Sequence, residues 1–349
     1  MALATLCWLP ACSNGSRPLS APAPVAPSTT VTSSPATRPH GVYWGAYAGG
    51  AQYGSADAPW DLSSAATFED HAGKHLSMLE WGQDWYDTNG SGSGPALQPF
   101  PAALLNSVRQ AGYLPVISWG SDQAAIAAPQ PGFQLARITG GAFDGYLHAW
   151  ATAAAAWGHP LYLRFDWEMN FPSAPYSERN NGNQPGDFVA MWRHVHDVFV
   201  GAGATNVKWV WCPHASTPSS QPLAGLYPGN AYVDWVGLDG YNWGSTPNVG
   251  DDGGWRTFDQ IFSASLGQLA ELAPTKPVMI GEMASTERGG SKPAWIANAF
   301  GSIGTDPSIG AVIWFNKNAD HMDWPIESSP AAQSAFAAAI AAPSYDTGA

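Results

Sequence analysis

A (β/α)8 barrel is the fold class that the sequence predicts, and three observations support it. After His40 the chain contains eight short apolar runs rich in β-branched and aromatic residues. Segments in which apolar residues recur every three to four positions separate most of these runs, and they often stop at glycine. The chain of 349 residues also exceeds the length of roughly 250 residues that such a barrel typically needs. Strands that alternate with helices pair in parallel, and eight such units are enough to close a barrel.

The strands are predicted, in chain order, at residues 41–47, 76–82, 113–120, 161–168, 207–212, 233–241, 277–282 and 310–316. Helical periodicity is found at residues 101–112, 143–158, 187–203, 257–272 and 293–303. The fifth unit is the weakest, because residues 213–232 contain several prolines, and we expect a short or irregular element there. A doubly wound open sheet is the alternative fold. It is disfavoured because the glycine-rich stretch 45–54 lacks the spacing of a dinucleotide or phosphate loop.

Composition excludes several classes of protein. Hydrophobic residues make up 45% and charged residues only 12%, which is typical of a globular protein and not of a disordered or coiled-coil chain. The formal net charge is −13, and the sequence has no cluster of lysine and arginine. We therefore expect neither a nucleic acid nor another anionic polymer as a ligand.

The first forty residues differ from the rest. Residues 1–12 contain a short apolar run that ends at Cys12 and resembles a bacterial lipobox, which predicts export and a lipid on Cys12. Residues 13–40 consist mostly of Ser, Pro, Ala and Thr, and are predicted to be a disordered linker. The folded domain, 41–345, has Cys212 as its single cysteine and hence no internal disulfide. We expect an exported monomer, either a cell-envelope lipoprotein or an extracellular protein, with Cys12 as its one link to the membrane.

Tryptophan is abundant, with 18 residues, and several tryptophans lie near the carboxyl ends of predicted strands. Packing in the core is the ordinary role of large aromatic residues. Barrel interiors, however, prefer branched aliphatic residues, and indole faces at a barrel mouth suit the faces of pyranose rings. We therefore predict a sugar-binding cleft. The tryptophans assigned to it are Trp44, Trp81, Trp119, Trp167, Trp243 and Trp314, with Trp211 in a similar position.

Two of the predicted strands, the fourth and the seventh, end at glutamates, Glu168 and Glu282. Two facing carboxyl groups are what glycoside hydrolysis requires, one as the acid and the other as nucleophile or base. The reaction retains configuration if they lie about 5–5.5 Å apart and inverts it if they lie further apart. A single glutamate at a strand end is often structural, and Glu80, at the end of the second strand, is the main rival for a catalytic role.

The fourth strand carries charges at alternating positions, which places Arg164, Asp166 and Glu168 on its inward face. We predict that Arg164 and Asp166 pair as a buried scaffold beneath Glu168. Asp239, on the sixth strand, either orients Arg164 or a sugar hydroxyl, or makes ordinary buried hydrogen bonds.

Histidine spacing does not indicate a metal site. His194 and His196 are two positions apart in a helical pattern and point to different sides. His71 and His75 lack the glutamate of a zinc-protease motif. We expect neither a bound metal nor an organic cofactor.

Four segments carry a resemblance to a known family. "LRFDWEMN", "FVAMWRHVHDVFVGAGATNVKWVWCPH", "YPGNAYVDWVGLDGYNWG" and "IGEMAST" resemble glycoside hydrolase family 26, which comprises retaining β-mannanases and related β-glucanases and β-xylanases. The resemblance covers roughly residues 41–340. It implies a (β/α)8 fold, with Glu168 as the acid/base after strand four and Glu282 as the nucleophile after strand seven.

The resemblance also implies supporting roles. Tyr241 matches the tyrosine that hydrogen-bonds the nucleophile, and Trp314 matches the aromatic residue under the cleaved sugar. Arg164 matches the arginine that holds the strand-four carboxylate region. Asn170 closes the motif and is assigned to substrate binding. The family pattern usually has His before the acid/base, and Trp167 stands there in this chain.

These observations together predict a retaining endo-glycosidase that hydrolyses a neutral β-linked polysaccharide or oligosaccharide. β-1,4-Mannan is the favoured substrate, and β-glucan and β-xylan remain alternatives because Trp167 removes a polar group beside Glu168. A polysaccharide-binding lipoprotein without catalysis is the rival from another class. It is disfavoured because a pure binding surface does not need two opposed acids.

Overall fold

The computed structural model describes residues 41–87, 96–124, 126–247, 249, 252–319 and 321–346. The predicted leader, Cys12 and the linker lie outside the described residues. Among those that are described, no helix combines the length and the apolar character needed to cross a bilayer.

Eight parallel strands form a closed barrel, as the sequence predicted. They are β1 (Val42–Ala48), β2 (Met78–Asp87), β3 (Leu114–Gln123), β4 (Leu161–Phe165), β5 (Val207–Trp211), β6 (Trp235–Asn242), β7 (Val278–Ser285) and β8 (Ile309–Asn316). Each strand pairs with its neighbours in chain order, and β1 pairs with both β2 and β8, which closes the ring. Two short strands extend the sheet: Ala96–Leu97 runs antiparallel to the end of β2, and Tyr345–Asp346 lies parallel to β1.

Helices cover the outside of the barrel. They are α1 (Ser63–Ala72), α2 (Ala102–Gln110), α3 (Leu135–Thr139), α4 (Asp144–Trp157), α5 (Asp187–Gly201), α6 (Phe258–Leu272), α7 (Lys292–Thr305) and α8 (Pro330–Ile340). The five predicted helices are present as α2 and α4 to α7. The link between β5 and β6 contains two 3-10 turns, Leu223–Gly225 and Asn230–Tyr232, so the irregular fifth unit is confirmed.

Local sequence explains where several helices begin and end. Thr257 caps α6 through a capping box, in which its side chain accepts from the Gln260 amide and the Gln260 side chain returns a hydrogen bond. Ser291 caps α7 and is followed by proline within the first helical turn. Gly158 ends α4 with φ of 71°, a left-handed conformation that glycine adopts without steric cost.

Apolar side chains form two layers. A small cluster inside the barrel consists mainly of strand residues, among them Met78, Val116 and Ile313, with Cys212 directly after β5. The larger layer lies between the strands and the surrounding helices. Since successive side chains on a strand point to opposite faces, each barrel strand contributes to both layers.

Four tryptophans assigned to the cleft belong to the larger layer. Trp44, Trp81, Trp119 and Trp314 are at most 1% exposed. The rings of Trp44 and Trp314 pack against Phe336 of α8, at centroid distances of 6.2 and 5.3 Å. The prediction that these four tryptophans contact substrate is therefore wrong.

The reason for this error is the alternation of side chains along each strand. In β8, Ile313 lies inside the barrel, so Trp314 points outward to the helices. Proximity to the carboxyl end of a strand does not reveal which face a side chain takes. The preference of barrel interiors for aliphatic residues does not bear on these tryptophans, because their indole rings fill the layer between the strands and the helices.

Candidate active site

A cavity of about 250 Å³ opens at the carboxyl ends of the strands, the face on which (β/α)8 barrels carry their active sites. It contains both predicted glutamates. Its lining consists of Glu168, Phe171, His214, Tyr241, Trp243, Asp252, Glu282 and Phe315. Sequence reasoning missed Phe171, His214, Asp252 and Phe315.

Arg164 of β4 lies beneath this cavity and is fully buried. Its Nη1 donates to Glu80 and to Glu282 Oε1, the latter at 3.0 Å, and its Nη2 donates to Asp239. Glu80 also accepts a hydrogen bond of 2.6 Å from Ser118 Oγ. One guanidinium thus joins carboxylates from β2, β6 and β7. Since Glu80 is fully buried in this network, the structure places it as a support of Arg164 and away from the cavity.

Asp166 does not take part in this network, so the predicted pairing of Arg164 with Asp166 is wrong. Its carboxylate instead accepts from the Ser121 amide at 2.6 Å and from Ser121 Oγ at 2.7 Å. β4 ends at Phe165, and Asp166 and Glu168 have φ of 43° and 54°. The regular alternation therefore stops after Phe165. Such left-handed residues other than glycine cost about 1–3 kcal/mol each and cluster at functional sites.

Glu282 reaches the cavity because β7 is irregular at this point. Its pairing with β8 shifts register between Ile280 and Met283, and such a bulge redirects a side chain. Gly281 supplies the necessary space, because a Cβ there would lie 2.7 Å from Asp239 Oδ1 and 3.0 Å from Arg164 Nε. Tyr241 donates its hydroxyl proton to Glu282 Oε2, opposite the bond from Arg164. Two donors on two oxygens fix the orientation of this carboxylate.

Glu168 has a different environment. Its amide donates to the Cys212 carbonyl at 2.8 Å, which ties the chain after β4 to the end of β5. Among the described residues, none forms a hydrogen bond with its carboxyl group. Burial raises the pKa of Glu168 well above its usual value, and the charges of Asp239 and Glu282 raise it further, against the opposing effect of Arg164. The carboxyl group therefore keeps its proton at a pH at which an ordinary glutamate has lost it.

Asn170 and His214 form the floor beside Glu168. Asn170 is fully buried, its Nδ2 donates to the His214 carbonyl at 2.8 Å, and its Oδ1 accepts from the His214 amide at 2.9 Å. The prediction that Asn170 contacts substrate is therefore wrong, because both ends of its amide hold the loop after β5. His214 Nδ1 donates to the Ala215 carbonyl at 2.8 Å, and burial lowers the pKa of His214, which leaves Nε2 as an acceptor in the neutral ring.

Aromatic rings line the side of the cavity next to Glu282. Trp243, as predicted, lies at its edge, and Phe315 is the aromatic residue that β8 contributes, one position after Trp314. Trp324, buried in the loop after β8, packs against Tyr241 at 5.1 Å and against Trp243 at 4.9 Å. The ammonium group of Lys292 anchors this loop by donating to the carbonyls of Asp323, Trp324 and Pro325.

Trp167 directly precedes Glu168, is half-buried and is not among the residues that line this cavity. Its ring packs against Tyr176 at a centroid distance of 6.2 Å. Its Cζ3 would lie 3.5 Å from a Cβ at Gly120, which shows how closely it approaches the end of β3.

No group of three or more His, Cys, Asp or Glu residues suited to a metal occurs in the described part of the chain.

Residues 176–298 match the model of glycosyl hydrolase family 26. Endoglucanase H of Acetivibrio thermocellus is 34% identical to this chain over 288 residues, which are 80% of the chain and 29% of that protein. The chain thus spans less than a third of the length of this relative.

Two solved structures share the fold. The family 26 domain of an endo-β-mannanase/endo-β-glucanase from Prevotella bryantii has a TM-score of 0.59 and 14% identity, over 88% of this chain and 90% of that one. A β-mannanase from Bacteroides ovatus has the same TM-score, identity and coverage. At such identities the likeness concerns the fold alone.

The barrel, its paired carboxyl groups and the matching sequences define a glycoside hydrolase domain. Within that class, the chain is similar to glycosyl hydrolase family 26, whose model matches residues 176–298.

Proposed function

We propose that this chain is a retaining endo-β-glucanase in which Glu168 is the acid/base and Glu282 the nucleophile. The observation that carries the proposal is that these two carboxyl groups line one cavity in opposite environments. Glu282 accepts hydrogen bonds from Arg164 and Tyr241, whereas burial and neighbouring carboxylates keep the proton on Glu168. Acid/base assignments in glycosidases follow from such a difference.

The mechanism has two displacements. Glu168 transfers its proton to the glycosidic oxygen while a Glu282 oxygen attacks the anomeric carbon, so that the leaving sugar departs and a covalent glycosyl ester forms. Glu168, now a carboxylate, takes a proton from water, and that water displaces Glu282 from the anomeric carbon. Two inversions give a product with the configuration of the substrate.

β-Glucan is the proposed substrate in place of the β-mannan that the motifs favoured. The 34% identical relative carries the name endoglucanase, whereas the mannanase structures are far more distant in sequence. Trp167 adds a reason from this chain itself, because an indole beside Glu168 offers an apolar face where the family pattern usually has a polar imidazole. The equatorial hydroxyls of glucose leave broad apolar ring faces that suit such a surface.

Parallel assays of mixed-linkage β-glucan, carboxymethylcellulose, β-mannan and xylan, read as new reducing ends, test the substrate. We expect the highest kcat/KM on a β-glucan, and a preference for β-mannan or xylan would overturn that assignment. Release of no sugar from any of the four would favour a non-catalytic binding protein. Proton NMR of the first product tests the mechanism, and an α-configured product would exclude it.

The catalytic roles are tested with Glu282→Gln and Glu168→Gln on an aryl β-glycoside that the parent cleaves and that has a good leaving group. We expect Glu282→Gln to abolish turnover and Glu168→Gln to regain activity with azide, which attacks the glycosyl intermediate without a base. Activity near that of the parent in both variants would contradict the assignment.

We also propose that the chain is exported and carries a lipid on Cys12, because the preceding apolar run resembles a lipobox. Labelling of bacteria with a clickable palmitate analogue tests this directly. The parent chain should take up label and Cys12→Ser should not. Equal labelling of the two would refute the lipid anchor.

A further inference from the structure

A second cavity lies on the same face of the barrel, beside the end of β2. Its volume is about 500 Å³, and its walls come from the β1–α1 loop, from the last residues of β2 and from the beginning of α2. The residues that characterise it are Trp60, Gln83, Asp84, Asp87, Gln98 and Leu104. None of them takes part in the network around Glu282 and Arg164.

Trp60 is the most unusual member of this wall. It is 58% exposed, whereas nine other tryptophans are among the largest fully buried side chains. A large indole left in water loses the apolar burial that normally stabilises it, and this is typical of a surface that binds a ligand. The amides of Gln83 and Gln98 and the carboxyl group of Asp84 lie around the same space.

This combination of groups indicates the chemical class of the ligand. A flat apolar ring with a few polar groups around it matches a pyranose, which has apolar faces and hydroxyls at its edge. An anionic ligand fits less well, because the wall contains two aspartates and no lysine or arginine among its lining residues.

Asp84, in the wall of the second cavity, and Trp167, the neighbour of Glu168 in sequence, both approach Gly120 of β3. The space beside Gly120 is enclosed by Asp84 Oδ1, Asp122 Oδ1 and Trp167 Cζ3, which would lie 2.7, 2.6 and 3.5 Å from a Cβ at that position. Asp84 is thus a wall of the outer cavity and a neighbour of Trp167. Since Trp167 directly precedes Glu168, the contacts at Gly120 relate the wall of the second cavity to the chain segment that carries the proposed acid/base.

We propose that this second cavity is a distal subsite that binds one pyranose ring of the polysaccharide, with Trp60 stacked on its face and Gln83 and Asp84 bonded to its hydroxyls. The subsite rests on the proposed function, because it assumes that the chain binds a neutral polysaccharide across the barrel mouth.

The carboxyl pair next to Gly120 fits this role. Burial and the charge of Asp122 raise the pKa of Asp84 to about 7, and burial raises the pKa of Asp122 to about 6. One proton shared by the two groups gives the pair both a donor and acceptors near neutral pH. Sugar hydroxyls, which both donate and accept, are suited to such a pair.

The test compares Trp60→Ala with Val200→Ala, a matched control that removes another exposed apolar side chain, on the helix α5. Each is assayed on mixed-linkage β-glucan and on a chromogenic aryl β-cellobioside, which is too short to reach the second cavity. We expect Trp60→Ala to raise KM for the polymer about tenfold with kcat unchanged, and to leave the short substrate unaffected. Gln83→Ala should raise the same KM by a smaller factor.

The outcomes separate the subsite from the proposed function. If the parent hydrolyses the polymer and Trp60→Ala matches Val200→Ala, the subsite is refuted while the proposed function stands. If Trp60→Ala lowered kcat/KM equally on the polymer and on the short substrate, the subsite would also be refuted, because the substitution would then affect the catalytic centre in general. If the parent hydrolyses no polysaccharide, affinity electrophoresis in β-glucan gels still decides, because Trp60→Ala must then migrate faster than Val200→Ala.

Discussion

Arg164 Nη1 lies 3.0 Å from Glu282 Oε1, and this single hydrogen bond joins the buried charge network to the cavity. The same guanidinium holds Glu80 and Asp239, which are fully buried, whereas Glu282 is 8% exposed. One of the two donors that orient Glu282 therefore belongs to a network that never meets solvent. A change at Arg164 must affect folding and catalysis together.

Arg164→Met should lower the free energy of unfolding by about 3–5 kcal/mol, because it leaves Glu80 and Asp239 buried without their cation. Urea denaturation at pH 7 measures this loss. Arg137→Met is the matched control, since the Arg137 side chain bonds an exposed loop carbonyl. If Arg164→Met lost no more stability than Arg137→Met, the network around Arg164 would not stabilise the fold.

The pH profile should depend on Glu168. The acid must be protonated to act, and its pKa lies well above the ordinary value of 4.5, so kcat/KM should fall as the pH rises through that raised pKa. In Glu168→Gln this alkaline limb should disappear on an aryl glycoside with a good leaving group, which needs no acid. Activity on the polysaccharide should drop about 10³-fold. An unchanged alkaline limb in Glu168→Gln would assign the acid to another group.

Tyr241→Phe should reduce kcat about 10²-fold, because it removes one of the two donors that orient Glu282. Tyr227→Phe is the control, since that hydroxyl bonds Asn230 at the surface and lies outside the cavity. Circular dichroism melts should be similar for the two variants. If the two kcat values are equal, the hydroxyl of Tyr241 has no part in catalysis.

The Asp84–Asp122 pair should make stability depend on pH. The pKa of Asp84 rises from 3.8 to about 7 on folding, so the unfolded chain loses this proton at lower pH than the native chain. The contribution of the pair to stability therefore falls as the pH increases from about 4 to about 7. Asp84→Asn carries no charge at any pH and should gain stability relative to the parent across this range.

Urea denaturation of both proteins at pH 4.5 and pH 8 measures this change, with Asp70→Asn as an exposed control. If the free energies of unfolding of Asp84→Asn and the parent differed by the same amount at both pH values, the raised pKa of Asp84 would be contradicted.

Local patterns were sufficient to predict the barrel. Period-two and helical segments gave all eight strands to within a few residues, and the prolines after Cys212 correctly indicated an irregular fifth unit. The two glutamates were found because each closely follows a run of buried strand residues in a chain with few charges. Phe315 was within reach of the same reasoning, since Ile313 and Phe315 share one face of β8.

Other residues had no local signal. His214 and Asp252 come from loops, and their approach to Glu168 depends on how the loops after β4, β5 and β6 fold over the barrel. Asp166 was assigned to Arg164 by strand alternation, but the left-handed turn after Phe165 redirects it to Ser121. The bulge that brings Glu282 into the cavity arises from pairing with neighbouring strands and leaves no mark in sequence periodicity.

The sequence by itself determined the order of the eight barrel strands and indicated two glutamates, Glu168 after β4 and Glu282 in β7, with an arginine beneath them. These follow from hydrophobic periodicity and from residue type, which are local properties of the chain. Only the tertiary structure decided which tryptophans fill the core, which carboxylates Arg164 holds and why Glu168 keeps its proton. Those outcomes depend on side-chain direction, burial and the distance between charges from different strands, which arise only when the barrel closes.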